Sequence, residues 1–439
     1  MLRECHRAQW MRRCLLLSVL GALVVLAGCS GSNQLAPGLA GSTADHPGTP
    51  PQVAAGGPGG TLAFVYDNQI WLRQGDKLRQ VTHLVLSNGA TIVWGPLVWS
   101  PGGRYIAFAV VEDLTPDVPR RTSGTLYYVD VGSGATFATP GIGSVYGHTY
   151  AWFTDRALIY SSSSDIMFYD LGDLDPRVWT LRDALTAPDG YTHSSGGNSF
   201  GDLAVAGDTL YYTRMGLDVG ALGSGATVGT AEVRRLSLFP LSSDFRGTQF
   251  DNPNLPGIIA NDSRQVQNNF ADIAAPLGKV YSDSTGMPTA GQWRVAGDGS
   301  YVSAQQIDGV DTAKHVVSSH FCRINAFSTF CQPILKGIGR YPLTTHAALA
   351  LSRQGKVAVT TDALYTQSVD GGNVGKAAAS GWAVAPAWTG DGKHVLATQL
   401  TKTATDAGGV TRFSTDIVTF AGGQTSSVLI AGALNPAWK

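Results

Sequence analysis

The stretch VWSPGGRYIAFAV, residues 98–110, decides the fold of this chain. It is a short apolar strand that ends in Trp99, a tight Pro-Gly-Gly turn and a second apolar strand. AWTGDGKHVLATQ, residues 387–399, has the same layout, with Trp388 before a Gly-Asp-Gly turn. A strand–turn–strand pattern that recurs along a chain predicts a repeat protein built from β-strands.

The pattern recurs four more times in weaker form, with anchor residues at Trp152, Leu203, Val295 and Leu351. A third strand follows each pair, and a short fourth strand usually follows the third. Units of four short strands, each about 50 residues long, are typical of β-propellers. The interval between the anchors at 203 and 295 is too long for one unit, which predicts an insertion at about 251–290.

The two ends of the chain complete one further unit. LNPAWK, residues 434–439, places Trp438 where Trp99 and Trp388 stand in their units. TLAFVYDNQIWLRQGDKLRQVT, residues 61–82, has the pattern of three strands without an inner strand before them. The sequence therefore predicts an all-β protein, a propeller of seven four-stranded blades over residues 61–439. The C-terminal inner strand closes the ring by pairing with the N-terminal strands.

Composition agrees with this fold class. The chain is 44% hydrophobic and 14% charged, against about 25% charged residues in an ordinary soluble domain, and it contains 54 Gly and 10 Trp. Its net charge of -1 argues against a nucleic-acid partner. The sequence contains no H-E-x-x-H or Walker-type motif. Binding is therefore favoured over catalysis, and no cofactor is expected.

WSPGGRYIAF (residues 99–108) and WTGDGKHVLA (residues 388–397) are the units that best match the motif W-[ST]-x-x-G-[KR]-x-[IV]-A. This motif resembles the TolB-like, or WD-like, propeller repeat of bacterial envelope proteins. The resemblance covers about residues 61–439 and implies a propeller that works in the cell envelope. It implies little about activity, because such propellers serve as scaffolds, enzymes and accessory domains.

The N-terminus predicts export. MRRCLLLSVLGALVVLAGC, residues 11–29, has two Arg, a short apolar run and a final Leu-Ala-Gly-Cys that resembles the bacterial lipobox. That resemblance implies a signal peptide at 1–28 and a lipid on Cys29; an ordinary signal peptide or a short anchor is the alternative. Residues 29–60 are rich in Gly, Ser, Pro and Ala, which predicts a flexible tether. We expect a lipoprotein anchored at the periplasmic or outer cell surface.

Two cysteines remain outside the signal and the anchor. Cys322 and Cys331 lie nine residues apart, and an exported chain meets an oxidising environment. We therefore expect a disulfide across a hairpin, with two buried thiols as the alternative. A metal site would need more ligands than the nearby His320 alone.

Blade topology places the long connections on one face of the predicted ring. These connections are residues 111–123, 183–198, 215–230, 251–290 and 401–411. Long loops clustered on a rigid scaffold indicate a functional face. His148, His193 and His346 stand near the starts of inner strands and could meet at the channel mouth, where TolB-like polysaccharide lyases offer a precedent for a metal. The alternative is that they are polar residues lining a wet channel, and the identity of any metal stays open.

These features predict a monomeric, lipid-anchored propeller that acts as a binding or scaffold protein. Its partner would be an envelope protein or a glycan held at the long-loop face, with the membrane engaged only through the lipid. The alternative is a carbohydrate lyase or hydrolase with its site at the channel mouth, which needs converging carboxylates or a histidine-bound metal.

Overall fold

The computed structural model describes the following residues: 50–55, 58–85, 91–92, 96–111, 124–139, 150–161, 166–171, 177–180, 198–217, 227–238, 273–282, 288–326, 328–342, 347–377, 382–405, 411–421 and 427–439. The regular structure of these residues consists of β-strands. Across the same ranges, no helix is present that is long and apolar enough to cross a membrane.

The strands form blades in chain order. Blade 1 contains β1 (Thr61–Tyr66), β2 (Gln69–Gln74), β3 (Lys77–Gln80) and, as its inner strand, β31 (Leu434–Trp438). Blade 2 contains β4 (Thr91–Ile92), β5 (Val98–Trp99), β6 (Tyr105–Val111), β7 (Gly124–Asp130) and β8 (Thr136–Ala138). Blade 3 contains β9 (Tyr150–Thr154), β10 (Ala157–Ser161), β11 (Ile166–Asp170) and β12 (Arg177–Thr180).

The next two blades share one ten-stranded sheet. Blade 4 contains β13 (Asn198–Ala206), β14 (Thr209–Leu217), β15 (Thr227–Ser237), β16 (Ile273–Ser282) and the short β17 (Pro288–Thr289). Blade 5 contains β18 (Trp293–Val295), β19 (Tyr301–Asp311), β20 (Val316–Asn325), β21 (Gln332–Ile334) and β22 (Arg340–Pro342).

The last two blades are simple four-stranded sheets. Blade 6 contains β23 (Ala348–Leu351), β24 (Lys356–Thr360), β25 (Leu364–Ser368) and β26 (Gly371–Ala377). Blade 7 contains β27 (Trp382–Trp388), β28 (His394–Thr405), β29 (Thr411–Ala421) and β30 (Ser427–Ala431).

The inner strands form a closed ring. In the order β31, β5, β9, β13, β18, β23 and β27, each strand contacts the next, and β27 contacts β31 again. Antiparallel sheets arranged radially around a ring of inner strands make a β-propeller, as the sequence predicts. The described strands fit seven blades, and the sequence anchors from Trp99 to Trp388 fall on or beside the inner strands.

The first and last strands close the ring. β31 pairs antiparallel with β1, with Leu62 opposite Trp438 and Ala63 opposite Ala437. The backbone N–H of Asn435 also donates to the Thr398 hydroxyl of blade 7 at 2.9 Å. The final strand therefore belongs to blade 1 and is bonded to blade 7, so it closes the ring of blades.

The hydrophobic core lies between neighbouring blades. β6 shows why the strands appear in the sequence as continuous apolar runs. Side chains alternate between the two faces of a strand. Ile106, Phe108 and Val110 pack in a cluster with blade 1, whereas Ala107 and Ala109 pack in a cluster with blade 3. Both faces are buried, so both need apolar residues.

The β19–β20 hairpin rises beyond the inner strand of its blade. β18 ends its pairing where Trp293 lies opposite Ala304, but β19 continues to Asp311. We call residues 305–320 the raised hairpin. It stands at the end of the channel where inner strands begin, which is the long-loop face of the sequence prediction. A parallel bridge between Gly278 of β16 and Ile307 joins blades 4 and 5 there.

β16 changes the extent of the predicted insertion. Residues 273–282 form an outer strand of blade 4, paired with β15 and with Ala275, Leu277 and Val280 buried. The sequence prediction of an insertion at about 251–290 on the long-loop face is therefore wrong for residues 273–282. The connection from β15 to β16 also leaves beside the short turn at Asp208, at the opposite end of the channel from the raised hairpin, because it joins two strands of one blade. Residues 251–272 lie outside the described part of the chain.

The segment at residues 50–55 lies against blade 7. Val53 forms a bridge with Ile430, and the Ala54 N–H donates to the Leu429 carbonyl at 3.0 Å. The guanidinium of Arg73 donates to the Ala54 carbonyl at 3.1 Å. This end of the predicted 29–60 tether is therefore packed on the propeller, and residues 29–49 are outside the described part.

Candidate functional site

The described residues form two features at opposite ends of the channel. The raised hairpin is a platform at one end, which we call the hairpin end, and a pocket lies at the other, which we call the short-turn end. Several sequence-predicted residues lie outside the described part of the chain: Cys29, His148, His193 and His346, and loop residues 112–123, 183–197, 218–226 and 406–410.

The structure brings together the two cysteines. Cys322 and Cys331 are joined in a disulfide, with their Cα atoms 5.1 Å apart and Cys322 fully buried. One ring nitrogen of His320 lies within 4.8 Å of both sulfur atoms. Because the two sulfur atoms are bonded to each other, this group does not offer three metal ligands.

A small core of its own holds the raised hairpin in place. Ile307 and Val317 of the hairpin pack with Tyr281 and Tyr341 from the strands on either side. The hairpin therefore differs from a free loop, because apolar burial fixes it to blade 4 and to β22.

A buried polar network lies beneath that core. The side-chain amide of Gln305 donates to the Ser319 hydroxyl at 3.1 Å and to the Tyr341 hydroxyl at 2.6 Å. Burial raises the pKa of Tyr341 to about 12, partly opposed by the hydrogen bonds from Gln305 and Ser319. The phenol stays neutral at physiological pH, so the network is satisfied without a buried charge.

The outer surface of the raised hairpin is polar and carries both charges. His320 Nδ1 lies 2.9 Å from Asp308 Oδ1, and its Nε2 lies 2.9 Å from Gln306 Oε1. At the tip, Lys314 Nζ lies 2.7 Å from Asp311 Oδ2. Residues 312–315 are exposed.

Tryptophans tie neighbouring inner strands together at the short-turn end. The Trp99 indole N–H donates to the Ala437 carbonyl at 3.2 Å. The Trp152 indole N–H donates to the Val98 carbonyl at 3.0 Å. In both cases the acceptor stands just before the anchor residue of the preceding blade, so the bond repeats with the blades.

The same bond is missing between blades 6 and 7. By position, Trp388 should donate to the Ala350 carbonyl, but its indole nitrogen is buried and has no hydrogen-bond partner within the described ranges. A cavity of about 270 Å³ opens at this seam. It is lined by Arg294, Ala350, Leu351, Ser352, Arg353, Pro386, Ala387, Trp388, Thr389, Gly390, Trp438 and Lys439. We call this cavity the seam pocket.

Three basic residues line the seam pocket, Arg294, Arg353 and Lys439. Arg294 comes from the inner strand of blade 5, and its guanidinium lies 3.9 Å from the Asp202 carboxylate of blade 4. Burial lowers the pKa of Arg294, and Asp202 partly offsets that effect. Arg353 stands in the short turn of blade 6, is exposed and forms no ion pair or hydrogen bond with the described residues.

Beside the seam pocket, Asp391 is held within its own turn. The Thr389 hydroxyl donates to Asp391 Oδ1 at 2.6 Å, and the Lys393 N–H donates to it at 3.0 Å. These bonds, led by the one from Thr389, hold the pKa of Asp391 below its ordinary value. The Asp391 carboxylate is therefore bonded within its own turn. The described residues that line the pocket include no acidic side chain.

Sequence reasoning missed both arginines, although they lie inside recognised repeat units. Aligning the short turns by their backbone bonds would have found Arg294. Ser100, Ser352, Thr389 and Ala296 make equivalent turn hydrogen bonds. Arg294 stands two residues before Ala296. The residues two positions before the other three are small and apolar: Val98, Ala350 and Ala387.

Known structures resemble this chain at low similarity. No protein-family model and no curated protein sequence matches it. The β-propeller domain of the Trilobed protease from Pyrococcus furiosus is 11% identical, with a TM-score of 0.43, over 87% of this chain and 98% of that one. A prolyl endopeptidase is 12% identical, with a TM-score of 0.42, over 88% of this chain and 50% of that one.

A puromycin-hydrolyzing peptidase of Mycobacterium tuberculosis is 10% identical, with a TM-score of 0.43, over 78% of this chain and 53% of that one. The chain thus spans about half the length of these two peptidases. Similarity at this level transfers no residue role to this chain.

Proposed function

We propose that this protein is a lipid-anchored propeller of the cell envelope that binds another envelope protein at the hairpin end of its channel. The observation that carries the proposal is the raised hairpin, which extends well beyond what its blade needs. β19 continues for seven residues past the last pairing with β18, from Ala304 to Asp311. A propeller blade is complete without this extension.

The raised hairpin has the rigidity of a binding platform. Its backbone is joined to β16 at Gly278 and to β22, where Ser318 pairs with Arg340. Its side chains have their own core around Ile307 and Val317. A preorganised surface loses little conformational entropy when a partner binds, so it supports affinity better than a free loop of the same length.

The charge pattern of the platform suits a protein partner. Asp308, Asp311 and Lys314 place both signs of charge within the hairpin and near its tip. Charged groups at an interface favour a partner with the complementary arrangement and raise the association rate. The long loops of the sequence prediction, such as 218–226 and 406–410, are candidates for further contacts.

Photocrosslinking in intact cells tests this proposal. A photoreactive amino acid at Ala313, in the exposed tip, should capture a protein adduct. The same amino acid at Lys77, exposed on an outer strand of blade 1, should capture none. Charge reversal by Lys314→Glu should weaken capture at Ala313, because it removes the only cation of the 305–316 stretch that carries a full charge at neutral pH.

Equal capture at Ala313 and Lys77 would argue against a specific platform. If the adduct at Ala313 contains a glycan and no protein, the partner is a glycan and the binding face is the one proposed. The carbohydrate-active alternative rests on His148, His193 and His346. It is tested by metal analysis of the purified protein, together with assays on polysaccharide substrates.

A further inference from the structure

Arg294 occupies a position that is unusual for this ring. The equivalent residues on three other inner strands, Val98, Ala350 and Ala387, are small and apolar. A guanidinium placed among such positions loses hydration, and the Asp202 carboxylate at 3.9 Å recovers only part of it. The side chain is 19% exposed and lines the seam pocket, so its charge acts on whatever enters there.

The seam pocket offers further hydrogen-bond donors. Arg353 is exposed at its rim and has no partner among the described residues. The indole N–H of Trp438 likewise has no hydrogen-bond partner in the part of the chain that the structure describes. No acidic side chain is found among the described residues that line the pocket.

The seam pocket also has apolar walls, beside the polar residues Ser352 and Thr389. Leu351, Pro386 and the ring of Trp388 line the pocket. A volume of about 270 Å³ lies just below the range of about 300–1,000 Å³ that is usual for drug-sized ligands. The pocket therefore accepts a small molecule or one end of a longer one.

We propose that the seam pocket binds a small organic oxyanion, a carboxylate or phosphate carried on a compact apolar or ring-shaped body. Arg353 provides a planar pair of N–H groups that matches the two oxygens of such a group. Trp438 adds a neutral donor, and Arg294 adds positive charge from the channel side. The missing Trp388 bond between blades 6 and 7 leaves the space that the ligand's body fills. This site is at the opposite end of the channel from the raised hairpin, so it is a second and separate function.

Calorimetric titration of the full-length protein tests the proposal. Inorganic phosphate, benzoate and glucuronate serve as probes, because they separate a bare phosphate from an aromatic carboxylate and from an acidic sugar. At least one of them should bind with one site per chain. The probe that binds best identifies which source of the oxyanion the pocket prefers, and failure of all three would overturn the proposal.

Variants localise the binding. Arg353→Ala should weaken the best probe by about 10- to 100-fold, the usual loss when a charge-assisted hydrogen bond is removed. Arg353→Lys keeps the charge and loses the planar geometry, so its loss should be smaller. The matched control is Lys393→Ala, which removes one charge from the neighbouring turn without touching the pocket.

Arg353 is an exposed turn residue, so the melting temperature of Arg353→Ala should equal that of the unaltered protein. Equal weakening by Arg353→Ala and Lys393→Ala would show general attraction to a cationic face and would overturn the assignment. Unchanged binding in Arg353→Ala would overturn it as well.

Discussion

The tryptophans of the repeat have a physical role that the motif alone does not reveal. Trp99 and Trp152 each pass an indole N–H to the inner strand of the blade before them. The bond satisfies a backbone carbonyl that faces a neighbouring sheet, and the ring fills the space between the two blades. Units with Val295 or Leu351 at the anchor position keep the apolar contact and lack the bond.

We expect Trp152→Phe to destabilise the protein by about 1–3 kcal/mol, because it removes the indole hydrogen bond to the Val98 carbonyl and also ring contacts. Trp71→Phe is the matched control. Trp71 is similarly buried, but its indole nitrogen has no hydrogen-bond partner among the described residues, so only ring volume is lost. Urea unfolding gives both free energies. Equal losses for the two variants would show that the indole bond contributes nothing.

Residue identities predicted part of the pattern. Trp99 and Trp388 could be assigned to equivalent positions because each stands before a glycine-containing turn. Trp438 could be added because it ends an apolar strand as they do. Arg294 and Arg353 could not be assigned to a shared pocket, because that requires knowing that the ends of four inner strands meet. Such proximity comes from ring closure and is absent from any single repeat.

At the level of elements, β16 shows how local signals can hide a strand. Pro276 and Gly278 both argue against a strand interior, and the segment follows a long polar stretch. The structure accommodates both: the ladder shifts register around these two residues, and the Pro276 carbonyl accepts a hydrogen bond from Gln306 at 2.9 Å. Pairing with β15 outweighs the low strand propensity of Pro and Gly in β16. Local sequence patterns therefore assigned residues 273–282 to the insertion.

Close backbone contacts around the raised hairpin can be tested at Gly339. A Cβ atom at this position would lie 1.5 Å from the Ser319 carbonyl oxygen, so Gly339→Ala must push β22 away from the hairpin. We expect a loss of at least about 2 kcal/mol, together with faster hydrogen exchange in the hairpin. Thermal unfolding and exchange mass spectrometry measure these effects.

Gly309→Ala is the control for this prediction. Gly309 lies in the same hairpin, and a Cβ atom there would meet nothing within 4 Å. Its unfolding free energy should change by less than about 0.5 kcal/mol. A Gly339→Ala protein with unchanged exchange in the hairpin would contradict the role of that contact.

At the scale of the whole molecule, closure of the ring depends on β31, the last of the described strands in chain order. The sequence predicted the closure because residues 61–82 lack an inner strand and residues 434–439 supply one. It did not predict that blades 4 and 5 merge into one sheet, since the single bridge between Gly278 and Ile307 leaves no pattern in either segment. Ring closure can be predicted by counting the repeat units. The joining of two blades into one sheet depends on the register of their strands, which the repeat units do not reveal.

Removal of residues 434–439 should destabilise the whole propeller. The truncation removes the pairing of β31 with β1 and exposes the apolar faces of blades 1 and 7, at an expected cost of at least about 3 kcal/mol. Removal of Lys439 alone keeps β31 and is the control. Scanning calorimetry compares the two. A truncated protein that melts with the full-length one would show that the ring holds without this strand.

Mechanical load has a defined path into this protein. Any pull on the N-terminal side of residue 50 first meets the contacts of Val53 and Ala54 with blade 7, and then reaches β1. β1 is held by β31, so the same force next acts on the strand pair that closes the ring. Resistance to pulling is set by the rate at which such contacts rupture, and not by the total stability of the fold. The contacts of residues 50–55 with blade 7 therefore have to rupture before such a pull acts on the pairing of β1 with β31.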